Sequence, residues 1–423
     1  MNNKTKNTTV PELRFPEFQG TGEWEEKKLG EIVDQILEKV GSQKLLTVSI
    51  TAGLGFVSQA EKFGRDISGA QYKNYIVLCK GEFAYNKGNS KTFPQGAIYE
   101  LREFDRVAAP NAFYSFKFKN GFVGRFFQGY FDNNAHGKQL MKFITSGARA
   151  DGLLNISSQN FFGISFLVPK LPAEQQKIAD CLSSLDELIA ARSAKLEALK
   201  AHKRGLMQAL FPAEGETEPK LRFPEFQSAG AWEEKELKQL GNLVSGLTYS
   251  PEDVTENGLL VLRSSNIQNG EIALDDCVYV KPTVKGAHLS RPNDILICVR
   301  NGSKALIGKN ALIPENMPLS THGAFMTVFR SPYAKFVFQL FKTDLYNKQV
   351  SADLGATINS INGSQLLKYK FYIPQEAEQQ KIADCLSSLD SLITAQAQQI
   401  ESLKRHKKGL MQGLFPPTGL QQT

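Results

Sequence analysis

The sequence lacks the patterns that mark a metal site, a disulfide framework or a membrane span. Its five cysteines are scattered, and no two have the spacing of paired metal ligands: Cys79, Cys181, Cys277, Cys298 and Cys385. No stretch approaches the ~20 consecutive apolar residues that a membrane-spanning helix needs. The polar start, MNNKTKNTTVPEL, has no apolar core of a signal peptide. We therefore expect reduced thiols, no bound metal and a soluble, cytoplasmic protein.

The short motifs of common active sites are also missing. There is no G-x-x-x-x-G-K-[ST] phosphate loop, no H-E-x-x-H zinc motif, no G-x-S-x-G nucleophile motif and no G-x-G-x-x-G cofactor loop. The Asn-Pro-Pro-aromatic tetrapeptide of amino-methylating enzymes is absent as well. The five histidines stand far apart: His136, His202, His288, His322 and His406. We expect no catalytic residue and no cofactor in this chain.

The net charge and composition of the chain exclude few classes of protein. The chain of 423 residues has a formal net charge of +7, with 41% hydrophobic and 22% charged residues. Such values are ordinary for a globular protein of two to three domains. A modest basic excess permits binding to a phosphate backbone without demanding it.

The strongest signal is an internal repeat. PELRFPEF at residues 11–18 returns as PKLRFPEF at 219–226, in each case followed by Trp-Glu-Glu-Lys. We call this segment the leading motif. EQQKIADCLSSLD at 174–186, the helix-start motif, returns without a change at 378–390. Chance does not produce such matches, so the chain is a tandem duplication of about half its length.

A third repeated segment, the helix-end motif K-x-G-L-M-Q-x-L-F-P, closes residues 199–212 and 403–416. Between the repeated motifs, the first insert (30–168) and the second insert (238–373) share only a faint outline. Two nearly identical frames thus hold two different inserts. Identical frames suit two copies of one partner, whereas different inserts suit two different targets.

A heptad pattern predicts a long helix after each insert. Apolar residues alternate at spacings of four and three, and polar residues interrupt the seam at Arg192 and Gln396 and at Lys203 and Lys407. The predicted seam comprises Ile178, Leu182, Leu185, Ile189, Leu196, Leu199, Ile382, Leu386, Leu389, Ile393, Ile400 and Leu403. Helices of this length span roughly 50–60 Å. They could pair as a rod that holds the inserts apart, or be ordinary core helices of separate domains.

The inserts carry polar and basic clusters of the kinds that contact DNA. Arg and Lys address guanine edges, Asn addresses adenine edges, and Ser and Lys also bind phosphates. For each residue alone, a solvated loop position is the simpler interpretation, and the clusters are more persuasive as sets. The candidates are Asn86, Lys87, Asn89, Ser90, Lys91, Arg106, Asn111, Arg263, Ser264, Asn266, Arg300, Asn301, Ser303, Lys304, Lys309, Thr321 and His322.

The three duplicated motifs together resemble the specificity (S) subunit of type I restriction–modification systems. The resemblance extends over the full chain. It implies an α+β fold with a pseudo-two-fold tandem repeat, in which two small α/β target-recognition domains are separated by a pair of long antiparallel coiled-coil helices. The implied segments are a first recognition domain (1–170), a first spacer helix (171–212), a second recognition domain (213–375), a second spacer helix (376–416) and a tail (417–423).

The same resemblance implies partners. Each domain would read one part of a split, asymmetric target on double-stranded DNA. Two modification (methyltransferase) subunits and the restriction (translocase-nuclease) subunits would bind the chain. S-adenosylmethionine, ATP and Mg would then be bound by the partner subunits only.

Three other interpretations remain at this point. The chain could be a scaffold whose inserts bind proteins, an enzyme with its active site hidden in the inserts, or a homodimer built through the heptad helices. Sequence-specific DNA binding, catalysis by the isolated chain, and the oligomeric state distinguish them.

Overall fold

The computed structural model describes residues 9–51, 53–88, 93–144, 154–354 and 359–416. The chain divides into two compact units. Unit 1 joins Met1–Ser193 to Gln399–Thr423, and unit 2 is Ala194–Gln398. Each unit therefore contains one insert together with half of each long helix. The bounds predicted from the resemblance stay a prediction, and the predicted tail 417–423 lies outside the described residues.

The first insert is built on two four-stranded sheets. The strands of the insert and of the segment just before it are β1 Glu25–Lys28, β2 Val33–Gln35, β3 Leu46–Thr51, β4 Gly55–Ser58, β5 Ile76–Cys79, β6 Phe83–Asn86, β7 Ala97–Glu100, β8 Arg106–Ala109, β9 Tyr114–Phe118 and β10 Ser165–Val168. The helices are α1 Leu29–Ile32, α2 Gln59–Phe63, α3 Gly124–Asp132, α4 Ala135–Leu140 and α5 Ser158–Phe162. The strand orders are β2-β9-β6-β7 and β4-β3-β8-β5. Strands β1 and β10 pair antiparallel and close the insert.

Aromatic side chains form the core of unit 1. Tyr85 of β6 stacks on Phe161 of α5 with the ring centroids 4.4 Å apart, and Phe118 of β9 stacks on Phe127 of α3 at 4.4 Å. These residue types favour a half-buried pleated surface, which explains why short segments form strands here. The first sheet is thereby fixed against α3 and α5.

The helix following the first insert is α6 Pro172–Leu210. The second insert and the segment just before it then contribute β11 Glu233–Glu236, β12 Asn242–Ser245, β13 Val254–Thr255, β14 Leu259–Leu262, β15 Ile267–Gln268, β16 Glu271–Ile272, β17 Val278–Val280, β18 Ile295–Cys298, β19 Asn310–Leu312, β20 Ser320–His322, β21 Met326–Arg330 and β22 Lys370–Ile373. The remaining helices are α7 Ala334–Leu340, α8 Asp344–Asp353, α9 Gly363–Leu366 and α10 Glu376–Leu414.

The two inserts share one sheet and differ in the other. The order β12-β21-β18-β19 reproduces β2-β9-β6-β7 of the first insert, and β11 pairs with β22 as β1 pairs with β10. The other sheet of the second insert has the order β13-β17-β14-β20. Among the described strands, its parallel pair, β14 and β20, has an antiparallel neighbour on one side only, whereas the parallel pair β3 and β8 of the first insert has one on each side. One half of each insert is therefore built alike, and the other half is where they diverge. The expected α+β fold with duplicated sheet-rich units and long helices is confirmed.

A buried ion pair joins the leading motif to the helix-start motif in unit 1. The guanidinium of Arg14 donates from Nε and Nη2 to the two oxygens of Glu174, both at 2.8 Å. The indole of Trp24 donates to the same carboxylate at 3.2 Å. Glu174 is only 1% exposed. A bidentate pair with a third donor satisfies a charge that burial would otherwise make costly.

Unit 2 repeats the bidentate Arg–Glu pair, which we call the clamp, with its own copies of the motifs. Arg222 donates to Glu378 at 2.9 Å and 2.6 Å, and Glu378 is again 1% exposed. Beside each clamp, a lysine of the helix-start motif pairs with a glutamate of the leading motif: Lys177 with Glu17 at 3.2 Å, and Lys381 with Glu225 at 3.1 Å. The leading and helix-start motifs are therefore repeated in the sequence because they make the same contacts in both units.

The long helices run antiparallel within each unit. In unit 1, Lys407 donates to Asp186 at 2.6 Å, while Leu182 and Phe415 lie against the same glycine, Gly129. In unit 2, Lys203 donates to Asp390 at 2.6 Å. The polar seam positions Lys203 and Lys407 thus pair with an aspartate of the opposite helix.

The twelve predicted seam residues are all buried or half-buried. Helix α6 ends just before Phe211-Pro212, and helix α10 ends just before Phe415-Pro416, as the sequence predicts. Each helix has 39 residues, which corresponds to about 58 Å. The role of the pair as a spacer stays a prediction.

Each insert adds one charge of its own to the helix pair. In unit 1, Asp132 of α3 lies 3.7 Å from Lys407. In unit 2, Lys342, just after α7, lies 3.1 Å from Asp390. Burial raises the pKa of Asp132. Burial, with the neighbouring Lys203, lowers the pKa of Lys342 to about 8. The lysine–aspartate pair between the helices therefore has an additional acidic side chain beside it in unit 1 and an additional basic side chain beside it in unit 2.

We predict that Arg222→Met lowers the free energy of unfolding of the chain by about 3 kcal/mol or more, because the buried Glu378 carboxylate is left unpaired. Urea unfolding followed by circular dichroism measures the loss. The control is Lys348→Met, which removes an exposed pair with Glu214 and should cost no more than ~1 kcal/mol. The double variant Arg222→Met with Glu378→Leu should recover most of the stability. Equal losses for both single variants would show that the clamp is not the stronger contact.

Candidate nucleic-acid interface

In the first insert, the first candidates lie at the end of β6, an inner strand of the sheet that both inserts share, and in the loop that follows it. The side-chain oxygen of Asn86 accepts a hydrogen bond from the backbone of Gly88 at 2.9 Å, which turns the chain out of the strand. The ammonium of Lys87 lies 4.5 Å from the ring centroid of Tyr114, and Lys87 O accepts from Leu154 N at 2.9 Å. The loop is thus anchored where it starts. The next three candidates, Asn89, Ser90 and Lys91, lie outside the described residues.

Two further candidates of the first insert lie on its surface. Arg106 begins β8 and pairs with Glu38 at 3.0 Å, with 46% of the arginine side chain and 59% of the glutamate side chain exposed. An exposed pair of this kind contributes ~0–1 kcal/mol, so Arg106 can exchange its carboxylate for a phosphate at little cost. Asn111 is exposed in the turn before β9.

In the second insert, the structure brings together two clusters that are separate in the sequence. The side-chain amide of Asn301 donates to the hydroxyl of Ser264 at 3.0 Å, across 37 residues of chain. The side-chain oxygen of Asn301 also accepts from the backbone of Ser303 at 2.9 Å. The candidate loop after β18 and the candidate turn after β14 therefore form one surface.

A cavity of about 470 Å³ opens beside this surface. It is lined by Leu247, Thr248, Tyr249, Arg263, Ser264, Ser265, Asp276, Gly323, Ala324, Phe325 and Met326. Arg263 is held at the cavity by Asp276 at 2.8 Å. Arg300 is exposed, and its guanidinium carbon lies 5.8 Å from the ring centroid of Phe325. Basic and amide groups beside aromatic rings are the combination that nucleic-acid sites use.

Residues 230–405 match the family model described as type I restriction modification DNA specificity domain. This part of the chain is similar to the DNA specificity domain of type I restriction–modification systems. The resemblance predicted from the duplicated motifs is thereby confirmed. The leading, helix-start and helix-end motifs recur in the other half of the chain, outside the matched segment.

Two specificity subunits are similar in sequence to parts of the chain. The chain is 26% identical over 280 residues to the type I restriction enzyme MjaVIII specificity subunit of Methanocaldococcus jannaschii, covering 64% of this chain and 65% of that protein. It is 30% identical over 196 residues to the EcoKI specificity subunit of Escherichia coli, covering 43% and 42%. In both cases less than two thirds of the relative's length is spanned.

The fold is shared with a type I restriction–modification S subunit from M. genitalium known from a crystal structure. The TM-score is 0.64 at 15% sequence identity, and the match covers 97% of this chain and 100% of that one.

Three sequence candidates are revised by the structure because they are interior. Asn266 is fully buried, accepts from Arg263 N at 2.9 Å and donates to the carbonyls of Ala273 and Asp276. Thr321 is fully buried and donates to the carbonyl of His288 at 2.8 Å. His322 is 1% exposed and lies 2.9 Å from the carbonyl of Val244. These residues shape the loops beside the cavity and present no polar atom to a ligand.

The other described candidates of the second insert, Ser303, Lys304 and Lys309, are exposed. Sequence reasoning missed the two aromatic residues of the cavity, Tyr249 and Phe325. The available signal was an aromatic within one or two residues of a glycine or serine in a loop, as in HGAF and TYS. The DNA-binding role of the exposed candidates stays a prediction.

Among the described residues, no group of three or more His, Cys, Asp or Glu side chains is placed to hold a metal ion. No described helix combines the length and apolar content that crossing a membrane requires. The five cysteines are free thiols.

The buried His322 generates a pH prediction. Burial lowers the pKa of His322 below its usual 6.5, so the folded protein holds the ring neutral where the unfolded chain protonates it. Its contribution to stability is therefore fully present above pH ~6.5 and is lost as the pH falls through the folded-state value. His322→Gln should make unfolding less sensitive to pH between 7.5 and 5, as measured by urea unfolding at both values. An unchanged pH dependence would show that another group is responsible.

Proposed function

We propose that this chain is the DNA-recognition subunit of a type I restriction–modification complex and that it has no active site of its own. Each insert reads one part of a split, asymmetric target on double-stranded DNA. The long helices set the gap between the two parts. Two modification subunits bind the duplicated frames, and restriction subunits join that complex. S-adenosylmethionine, ATP and Mg are used by these partners, and the complex acts in the cytoplasm.

The observation that carries the proposal is the contrast between frame and insert. The clamp of Arg14 with Glu174 is repeated by Arg222 with Glu378, and both inserts use the same order for one sheet. At equivalent loops after β6 and β18, however, the side chains differ: Lys87 lies against Tyr114, whereas Arg300 lies over Phe325. Equal frames fit two copies of one partner, and unlike reading surfaces fit an unlike, two-part target, since a symmetric target needs identical halves.

Coexpression with a methyltransferase subunit of a type I restriction–modification system, followed by genome-wide mapping of methylated adenines, tests the proposal. A split, asymmetric motif is expected, and replacing residues 238–373 should change only one of its halves. No methylation, or the same motif in the absence of this chain, would support a protein-binding scaffold instead. Methylation or cleavage of DNA by the isolated chain would overturn the proposed lack of catalysis.

We predict that Arg300→Ala weakens discrimination in one half of the target by about 1–3 kcal/mol and leaves the other half intact, because the arginine is exposed on the second insert alone. Methylation rates of duplexes substituted at each base pair measure this effect. Lys87→Ala is the matched variant of the first insert and should affect the opposite half. Uniform weakening at every sequence would show that Arg300 contacts only phosphate.

We also predict that Leu389→Asp, a charge in the half-buried helix seam, impairs assembly or shifts the gap length without changing which bases are read. The seam packs the helices together, whereas base contacts belong to the inserts. The same methylation map gives both readouts. Altered base preference with an unchanged gap would contradict the division between frame and insert.

A further inference from the structure

Phe325 occupies an unusual position for a large apolar side chain. It is 57% exposed, in the loop between β20 and β21, while its neighbour Met326 is buried in the core. Phenylalanine is ordinarily among the most buried residues. Its exposed ring therefore contributes little to the core of the second insert.

The backbone of Phe325 is tied directly to the loop that carries Arg300. The carbonyl of Phe325 accepts hydrogen bonds from Val299 N at 3.0 Å and from Arg300 N at 3.1 Å. On its other side, the Val299 carbonyl accepts from Ile361 N at 2.8 Å. The main chain at Arg300 is thus held from both sides. These backbone hydrogen bonds do not fix the long side chain of Arg300.

The ring of Phe325 lies beneath that side chain. The guanidinium carbon of Arg300 is 5.8 Å from the ring centroid, within the range of a cation–π contact. A cation–π contact of this kind takes no hydrogen bond from the guanidinium, so its N–H donors stay available. In the part of the chain that the structure describes, no carboxylate lies within ion-pair distance of Arg300. Arg263 and Arg330, by contrast, are bound by Asp276 and Asp294.

A planar guanidinium whose N–H groups are not bound by a carboxylate matches the edge of a guanine base well. Two parallel N–H groups of an arginine meet O6 and N7 of guanine in the major groove. A flexible side chain loses rotamer freedom when it makes that contact, and a side chain already held in place loses less.

We propose that Phe325 is a positioning residue for base reading, which holds the Arg300 guanidinium ready for a guanine in the part of the target that the second insert reads. This inference rests on the proposed function. Phe325 acts through Arg300, so its effect disappears when Arg300 is removed.

The test uses the complex of this chain with its coexpressed methyltransferase subunit, and the substrates are duplexes substituted at each base pair of the methylated motif. Phe325→Leu should lower the methylation rate of the cognate duplex about tenfold, near the lower end of what one well-read base pair is worth. It should also reduce discrimination at a single G·C pair. Phe325→Tyr, which keeps an aromatic ring, should retain both the methylation rate and the discrimination of the unchanged chain. Leu319→Ala, at another exposed apolar residue of the same insert, is the control and should change neither.

The double variant Arg300→Ala with Phe325→Leu decides whether the two residues act together. It should be no slower than Arg300→Ala alone, since the phenylalanine then has nothing to position. Additive losses, or an equal loss on every duplex, would overturn the inference. If Phe325→Leu does not fold, Arg300→Lys replaces it: loss of discrimination at the same G·C pair is expected, because lysine keeps the charge without the planar fork. Retained discrimination would again overturn the inference.

The native complex separates this inference from the proposed function. If the unchanged chain directs no methylation to a defined motif, the proposed function fails. If the motif is present and Phe325→Leu leaves its methylation unchanged, only the positioning role fails.

Discussion

The pairing of a buried arginine with a buried glutamate is the constraint on which each unit depends. Arg14 and Glu174 are 160 residues apart, and Arg222 and Glu378 are 156 apart. Each pair fixes the segment that precedes an insert to the start of the helix that follows it. An insert held in this way has both of its ends determined, so its interior can change without moving the helix.

Much of the frame could be predicted from the sequence because its signals are local or repeated. The heptad spacing predicts the long helices, and the Phe-Pro pairs predict where they end. The duplication indicated two equivalent units. The sequence does not predict the partner of each repeated charge, because the arginine and the glutamate lie far apart along the chain and only folding joins them. The heptad pattern alone marks Lys203 and Lys407 as interruptions of the seam, whereas in the structure each donates to an aspartate of the opposite helix.

The candidate interface was harder to predict, for a reason visible in His322 and Phe325. A polar residue in a strand that is buried on both faces resembles a loop residue when only its neighbours in sequence are known. His322 is interior because β20 is covered, whereas Phe325, three residues later, is exposed because the chain has already left the sheet. Burial depends on which strands become neighbours, and the second sheet of this insert has an order that the first insert does not share.

The charges at Asp132 and Lys342 bear on how such a chain can diversify. Both meet a lysine–aspartate pair supplied by the two helices, and they engage its opposite members. A junction that carries both signs accepts an acidic or a basic contact without any change on its own side. A change in an insert that reverses the sign of this contact is therefore compatible with unchanged helices, so the two inserts can diverge while the residues of the helix pair stay the same.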